Sequence, residues 1–308
     1  MSYTPPRFAF QHAGLDRAEW LRVDAAALDA HWSGANVLVI DGEGRARFFG
    51  ADHSPEFPRG ETLADLRLPS ASFLGVDGEQ RWFAVPAESL PEPPPRKLDL
   101  RSAALHWPEL PASIFAQARA LLFWQQRNRF CGACGQPLSL ARGGFSASCG
   151  QCGGEYYPRT DPAIIVAVSD GERLLLGRQA GWPEKRWSVL AGFLEPGESL
   201  EQTVMREVME EAGVRVHACS YVASQPWPFP STLMLGFHAE AVPQPVRVGE
   251  ELQDARWFSV DELLAQVADG ELLLSPKISI SRWLIEDWLA RQGVAIPIVN
   301  ARTGQPSR

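Results

Sequence analysis

Three glutamates, Glu207, Glu210 and Glu211, crowd into one short stretch, GFLEPGESLEQTVMREVMEEAGV (192–214), with Arg206 beside them and Glu198 just upstream. At spacings of i, i+3 and i+4 their carboxylates share one side of a helix that advances about 100° per residue. Like charges so placed repel by tenths of a kcal/mol per pair. Something must offset this. Hard oxygen ligands held this close suit Mg²⁺ or Mn²⁺, which in turn bind diphosphate oxygens. A solvated acidic face is the bland alternative, yet no lysine intervenes in the stretch.

A second cluster is built of sulfur. CGACG (131–135) and CGQCG (149–153) give two Cys-x2-Cys pairs separated by fourteen residues. A glycine after each second cysteine permits the tight turn that brings two thiolates onto one ion. Cys131, Cys134, Cys149 and Cys152 therefore read as a closed, tetrahedral and structural Zn²⁺ site, with no position left for water. Zinc ribbons also bind nucleic acid, but the insert LSLARGGFSAS carries a single charge, Arg142. Cys219 stands alone in an apolar segment and reads as a small buried hydrophobe.

The third unusual stretch is SQPWPFPST (224–232), where a Trp and a Phe alternate with three prolines. Proline fixes φ and removes a donor, which excludes a helix or a central strand. Rings on so stiff a backbone offer a stacking surface at low entropic cost, and Gln225 could read a base edge or an amide. Rings packed inward in a proline-rich turn are the alternative.

These segments need elements to hold them. Ser199 and Gln202 form a capping box at the start of a helix over 199–213, and Gly213 fits its stop. Val204, Met205, Val208, Met209 and Ala212 would cover its core-facing arc. AIIVAVSDGERLLLGR (163–178) reads as a hairpin around Asp170-Gly171, and ANVLVIDGEGRARFFG (35–50) as another around an Asp-Gly turn. Strands are expected at 80–86, 186–193, 214–223, 232–241 and 255–260, and helices at 113–130, 261–268 and 278–292. PEPPP (91–95) reads as a stiff spacer and a boundary.

Four segments follow: a β-rich N-terminal domain (1–125), a zinc ribbon (126–158), an α+β domain with a mixed sheet (159–295) and a tail (296–308). At 308 residues, 45 % hydrophobic and 21 % charged, the chain suits two globular domains. No run of eighteen apolar residues and no basic-then-apolar N-terminus occurs, so neither a membrane span nor a signal peptide is expected, and a cytoplasmic location follows by default. The net charge of −8 argues against a protein built chiefly to grip nucleic acid.

Gly192, Glu198, Arg206, Glu207, Glu210, Glu211 and Gly213 match the Nudix box, Gly-x5-Glu-x7-Arg-Glu-U-x-Glu-Glu-x-Gly-U, with Val208 and Val214 at the apolar positions. The chain thus resembles the Nudix hydrolases, metal-dependent enzymes with an α/β/α sandwich that cleave nucleoside diphosphates linked to another moiety. The resemblance implies that Ala191 or Gly192 (by a carbonyl), Glu207 and Glu211 hold the divalent metals. It implies that Arg206 orients a box glutamate, and that Glu210 is either a ligand or the base for the attacking water. A further glutamate from a later loop is expected, Glu250 or Glu251, with Glu251 favoured by alignment on Trp257.

Downstream, Ser224 to Pro230 is similar to the Ser-Gln-Pro-Trp-Pro-Phe-Pro-x-Ser signature of NADH pyrophosphatases, with Thr232 in place of the final Ser. The four cysteines and Tyr-Tyr-Pro (156–158) also belong to that pattern, which covers about 101–292. This resemblance implies hydrolysis of NAD(H) to nicotinamide mononucleotide and AMP, removal of NAD caps from RNA 5′ ends, and a homodimer. By matching position it implies substrate contacts from Tyr157, Gln225, Pro226, Trp227, Pro228, Phe229, Pro230, Ser231, Thr232 and Ser281, with Arg101 as a phosphate or cap contact. Two competing readings are a general Nudix hydrolase of ADP-ribose or other nucleoside diphosphate derivatives, and a zinc-ribbon nucleic-acid-binding regulator.

Overall fold

Strand Asn36–Ile40 (β1) is apolar at every position after its first residue, and all five side chains are buried. Such a run needs cover on both faces. In the computed structural model, which describes residues 6, 8–12, 14–63 and 71–294, helix α1 (Ala25–Trp32) covers one face of β1. There Leu28 and Trp32 pack with Val37 and Val39. Two further helices follow the sheet, α2 (Leu100–His106) and α3 (Glu109–Arg127). Ile114, Phe115, Leu121 and Leu122 of α3 pack with Leu38 and Ile40 on the opposite face.

The sheet around β1 has the order β3-β2-β1-β5-β4, from β2 (Ala46–Ala51), β3 (Ser54–Glu56), β4 (Ser72–Asp77) and β5 (Gln80–Pro86). β1 runs parallel to β5 and antiparallel to β2. After PEPPP, β6 (Arg96–Leu98) returns to pair with β2. The proline stretch is therefore a bridge within one sheet, not a boundary, and Pro94 accepts a 2.9 Å hydrogen bond from Arg47 Nε. Strands β7 (Leu138–Ala141), β8 (Ser146–Cys149) and β9 (Glu155–Tyr156) form the small sheet of the cysteine region. All of these elements belong to one unit, Ala9–Thr160 together with Pro226–Ser231.

A second unit comprises Phe8, Asp161–Gln225 and residues 232–294. Its central strand β10 (Asp161–Ser169) sends Ile164, Val166 and Val168 to one core and Ile165 and Ala167 to the other. The remaining strands are β11 (Arg173–Arg178), β12 (Arg186–Trp187), β13 (Leu190–Phe193), β14 (Val216–Trp227), β15 (Thr232–Ala241), β16 (Asp254–Ser259) and β17 (Leu273–Leu274). The sheet order is β14-β15-β10-β11-β16, with β13 also on β10 and β15 parallel to β10. Helix α4 (Leu200–Ala212) covers one face, while α5 (Val260–Ala268) and α6 (Ile280–Arg291) cover the other. This is the expected sandwich with a mixed sheet.

Two expectations change in detail. The single strand at 186–193 is two short ones, because Ser188 pairs back on Gly177. β14 runs on to Trp227 through Pro226, which is tolerated because β14 is an edge strand. Among the described residues no helix is long and apolar enough to cross a membrane. The proposed tail, 296–308, lies outside them.

Candidate active site and metal centres

Ser199 Oγ accepts from Gln202 N at 3.3 Å and Gln202 Oε1 accepts from Ser199 N at 2.8 Å, closing the capping box of α4. Such a cap is worth about 1 kcal/mol. Gly213 ends the helix with φ of 63°, a left-handed turn that a side chain would resist. The buried arc differs from the expected one. Val204, Val208 and Ala212 face the core, but Met205 and Met209 are 41 % exposed. Glu207 and Glu211 are buried instead. The α4 rotation that hides these acids is a feature that hydrophobic periodicity misplaced.

Arg206 is the hub of the box. Its Nε and Nη2 meet both carboxylate oxygens of Glu198 at 2.6 and 2.9 Å. Nη1 donates to Glu207 Oε1 (3.0 Å) and Glu210 Oε2 (2.9 Å), and Nη2 also reaches the Phe193 carbonyl (2.9 Å). The fork-on-fork pair is thus with Glu198, whose carboxyl is pulled down to about 2 by Arg206. Glu198 also accepts from Thr203 Oγ1 and from Glu195 N. Both of its oxygens are engaged.

Glu211 has no such partner. Its Oε2 is buried without a hydrogen bond, and burial, followed by the charges of Glu207 and Glu251, pushes the carboxyl up to about 8. Glu207 is raised too, by burial first, with Arg206 opposing. Glu251 acts on both carboxyls, whereas Glu250 figures at neither. Gly192, on β13 opposite Ile164, lies so close that a Cβ there would fall 1.8 Å from Glu207 Cδ. Only glycine fits. A buried carboxylate with an orphaned oxygen, two more acids within electrostatic range and backbone carbonyls on β13 make a donor set of hard oxygens. It fits a divalent cation.

The second metal centre is sulfur-only. The four Sγ atoms of Cys131, Cys134, Cys149 and Cys152 lie within 4.8 Å of one another, with 3.5 Å between Cys131 and Cys152 and 3.4 Å between Cys134 and Cys149. Tetrahedral zinc with bonds of about 2.3 Å places sulfurs about 3.8 Å apart. Gly135 (φ 74°) and Gly153 (φ 73°) turn each knuckle left-handed. Their amides donate to the carbonyls of Cys131 and Cys149. The Tyr156 hydroxyl, 3.0 Å from Cys131 Sγ, heads the contacts that lower that thiol to about 6 and favour the thiolate a metal needs. These residues fit structural Zn²⁺.

The expected substrate residues fall into two groups. Arg101, Tyr157 and Pro226 to Ser231 belong to the first unit; Gln225, Thr232 and Ser281 belong to the second, with the carboxylates. In the first, Trp227 and Phe229 do not stand clear of the fold. Their centroids are 5.0 Å apart, 6.5 and 6.2 Å from Phe10, and both rings pack on the α3 core. Arg101 Cζ lies 3.9 Å from the Phe229 centroid, and Arg119 holds the loop by donating to the Pro228 carbonyl. Phe10 and Arg119 carry no local signal that would have singled them out. Tyr157 is exposed, and its hydroxyl donates to Glu155 at 2.7 Å.

In the second unit Gln225 is wholly buried. Its amide donates to the Ile278 carbonyl (2.7 Å) and accepts from Ile280 N (2.8 Å), so both ends are committed to backbone at the start of α6. It cannot read a base in this arrangement. Ser281 is 2 % exposed, with Oγ 2.6 Å from Ser188 Oγ. Both hold the fold rather than face solvent. Cys219 is half-buried beside the α4 core.

A mixed-sheet sandwich whose helix buries two glutamates under a glycine strand, in a chain that also carries a four-thiolate knuckle, defines a Nudix-type hydrolase with a zinc ribbon. Family models agree: one for the NUDIX domain matches residues 159–276, one for the NADH pyrophosphatase zinc ribbon domain 126–157, and one for the NADH pyrophosphatase-like rudimentary NUDIX domain 30–124. The chain is 41 % identical over 293 residues to the NAD-capped RNA hydrolase NudC of Mycobacterium bovis BCG Pasteur, covering 90 % of this chain and 93 % of that one. It is 41 % identical over 283 residues to that of Stutzerimonas stutzeri (88 % and 96 %), and 39 % over 261 residues to that of Pseudomonas aeruginosa (82 % and 90 %). The chain belongs to the NADH pyrophosphatase family of Nudix hydrolases.

Proposed function

We propose that this protein hydrolyses the pyrophosphate bond of NAD(H) to nicotinamide mononucleotide and AMP, and removes NAD caps from RNA 5′ ends. The carrying observation is Glu211, buried with an oxygen unpartnered, beside Glu207 and within reach of the charge of Glu251. Glu207, Glu211, Glu251 and a carbonyl of Ala191 or Gly192 would hold Mg²⁺ or Mn²⁺. When bound, those ions neutralise diphosphate charge and lower the pKa of water.

The chain's own part is positioning and proton handling. Arg206, locked on Glu198, keeps Glu207 and Glu210 from splaying apart. A carboxylate must take the proton of the attacking water. Glu210, exposed and sharing its Oε2 with Arg206, is the box carboxylate that this ligand set leaves free for the role. The Trp227 and Phe229 rings, with Arg101 beside them, are offered as the surface for a base and a phosphate. A homodimer in the cytoplasm is the proposed setting, since a four-thiolate zinc centre suits a reducing compartment.

The test is turnover. Purified protein with Mg²⁺ or Mn²⁺ and NADH should yield AMP and reduced mononucleotide, and an NAD-capped RNA should yield a 5′-monophosphate end. No hydrolysis with any divalent ion removes the reading, and a preference for ADP-ribose in kcat/KM would replace it.

A further inference from the structure

Residues 110–154 contain four arginines, 119, 127, 129 and 142, and not one Asp or Glu, in a chain of net charge −8. Two of the four are engaged. Arg119 donates to the carbonyls of Gly44 and Pro228, and Arg142 pairs with Glu19. Arg127 and Arg129 are exposed and meet no carboxylate among the described residues. Each lies over a ring instead, Arg127 Cζ 4.7 Å from the Phe123 centroid and Arg129 Cζ 5.7 Å from that of Phe130.

Phe130 is 58 % exposed, an unusual position for a large ring. It is not loose. Phe130 bridges to Pro137, Arg129 O accepts from Leu138 N at 2.9 Å, and Cys131 N donates to Gln136 O at 2.8 Å. The zinc knuckle thus sets this ring and guanidinium on a fixed backbone. Next to them lies a cavity of about 440 Å³, with Phe123, Gln126, Arg127 and Arg129 on one wall. The facing side contributes Asp41 and Glu43, both already paired with Arg45, and the exposed Glu88.

We propose that Arg127, Arg129 and Phe130 form a binding surface for single-stranded RNA, taking nucleotides that follow the cap. This rests on the decapping reading above. An RNA chain brings a negative charge with every nucleotide, so an acidic protein that handles it needs a local cationic track. Rigid rings accept bases of any identity, as a cap-directed enzyme requires. A structural explanation competes: one zinc ion and four thiolates leave a formal charge of about −2, which nearby arginines could balance.

Two readouts separate these. Fluorescence anisotropy with an uncapped single-stranded RNA of about a dozen nucleotides reads the surface without catalysis. Arg127→Ala/Arg129→Ala should weaken that binding about tenfold and flatten the slope of log K against log salt by about 1.4, for two lost phosphate contacts. Phe130→Ala should cost roughly tenfold, and Phe130→Tyr should restore binding. The same variants should leave kcat/KM for NADH and zinc content unchanged while kcat/KM for NAD-capped RNA falls in step with affinity. Unaltered RNA binding in the double variant overturns the proposal. So does an equal loss on NADH and capped RNA with loss of zinc, which would make the arginines a counter-charge for the knuckle. If the wild-type protein binds the RNA through these residues yet cleaves neither substrate, the surface stands and the decapping reading fails.

Discussion

The two six-stranded sheets of this chain are built alike and differ in chemistry. Each has a parallel central pair, β1 with β5 and β10 with β15, and each lays a long helix on one face. Each hairpin next to the centre turns on Asp-Gly, and the details repeat. Asp41 Oδ1 accepts from the amides of Glu43 and Arg45 while Arg45 Nε returns to Oδ2 at 3.0 Å. Asp170 Oδ1 accepts from the amides of Glu172 and Arg173, and Arg173 Nε returns to Oδ2 at 2.8 Å. The helices part company. α3, ELPASIFAQARALLFWQQR, has one carboxylate at its first residue, whereas α4, LEQTVMREVMEEA, has four. The scaffold is thus indifferent to the reaction, and only the second sheet carries a helix whose carboxylates can join a hard-oxygen site.

That contrast breaks first at Glu211. Glu211→Gln should lower kcat for NADH by several orders of magnitude while circular dichroism shows an intact fold, because the side chain keeps its volume and loses its charge. Activity close to wild type would strip α4 of its role and leave the two halves chemically equal. Next in size is the other centre. Cys131→Ser should abolish stoichiometric zinc and lower the Tm by about 5 °C or more, since metal binding is folding energy in a ribbon. Retained zinc by atomic absorption would contradict a four-thiolate site.

A subtler effect follows from the raised carboxyl of Glu211. In the metal-free fold it titrates near 8, against an ordinary value of 4.5. Between those values the folded protein holds a proton that the unfolded chain has released. Stability of the zinc-loaded protein without Mg²⁺ or Mn²⁺ therefore falls as pH rises through that window. Thermal melts in buffer with no added Mg²⁺ or Mn²⁺ should decline from about pH 5 to 8.5. Mg²⁺ should restore them most at the alkaline end, with proton release measurable by calorimetry near pH 7. A flat profile in the absence of Mg²⁺ would mean the carboxyl is solvated. The smallest effects belong to the matched turns: Asp41→Asn and Asp170→Asn should each cost about 1 kcal/mol in denaturant melts and leave kcat alone. A catalytic loss in either would end the claim that the turns serve only the scaffold.

Local rules read well from sequence. The capping box at Ser199, the stop at Gly213 and the cysteine knuckles lie where spacing puts them, because short-range hydrogen bonds and φ settle them. Long-range placement did not. Met205 and Met209 look like core residues by periodicity, yet α4 is rolled so that Glu207 and Glu211 turn inward. Gln225 and Ser281 read as recognition residues and are buried fasteners. PEPPP reads as a break, yet β6 rejoins the sheet beyond it. In each case the deciding partner is far away in the chain.

The six residues 226–231 begin in the last two positions of β14, join the cluster of Phe10, Arg101 and Arg119, and lead into β15. The hydrolase portion is therefore poorly suited to life as a truncated fragment. Cut loose near residue 159, it would carry a tryptophan and a phenylalanine stripped of their neighbours, sticky in water and apt to clump. The amino-terminal portion, expressed by itself, would in turn be left with an unfilled notch beside Phe10.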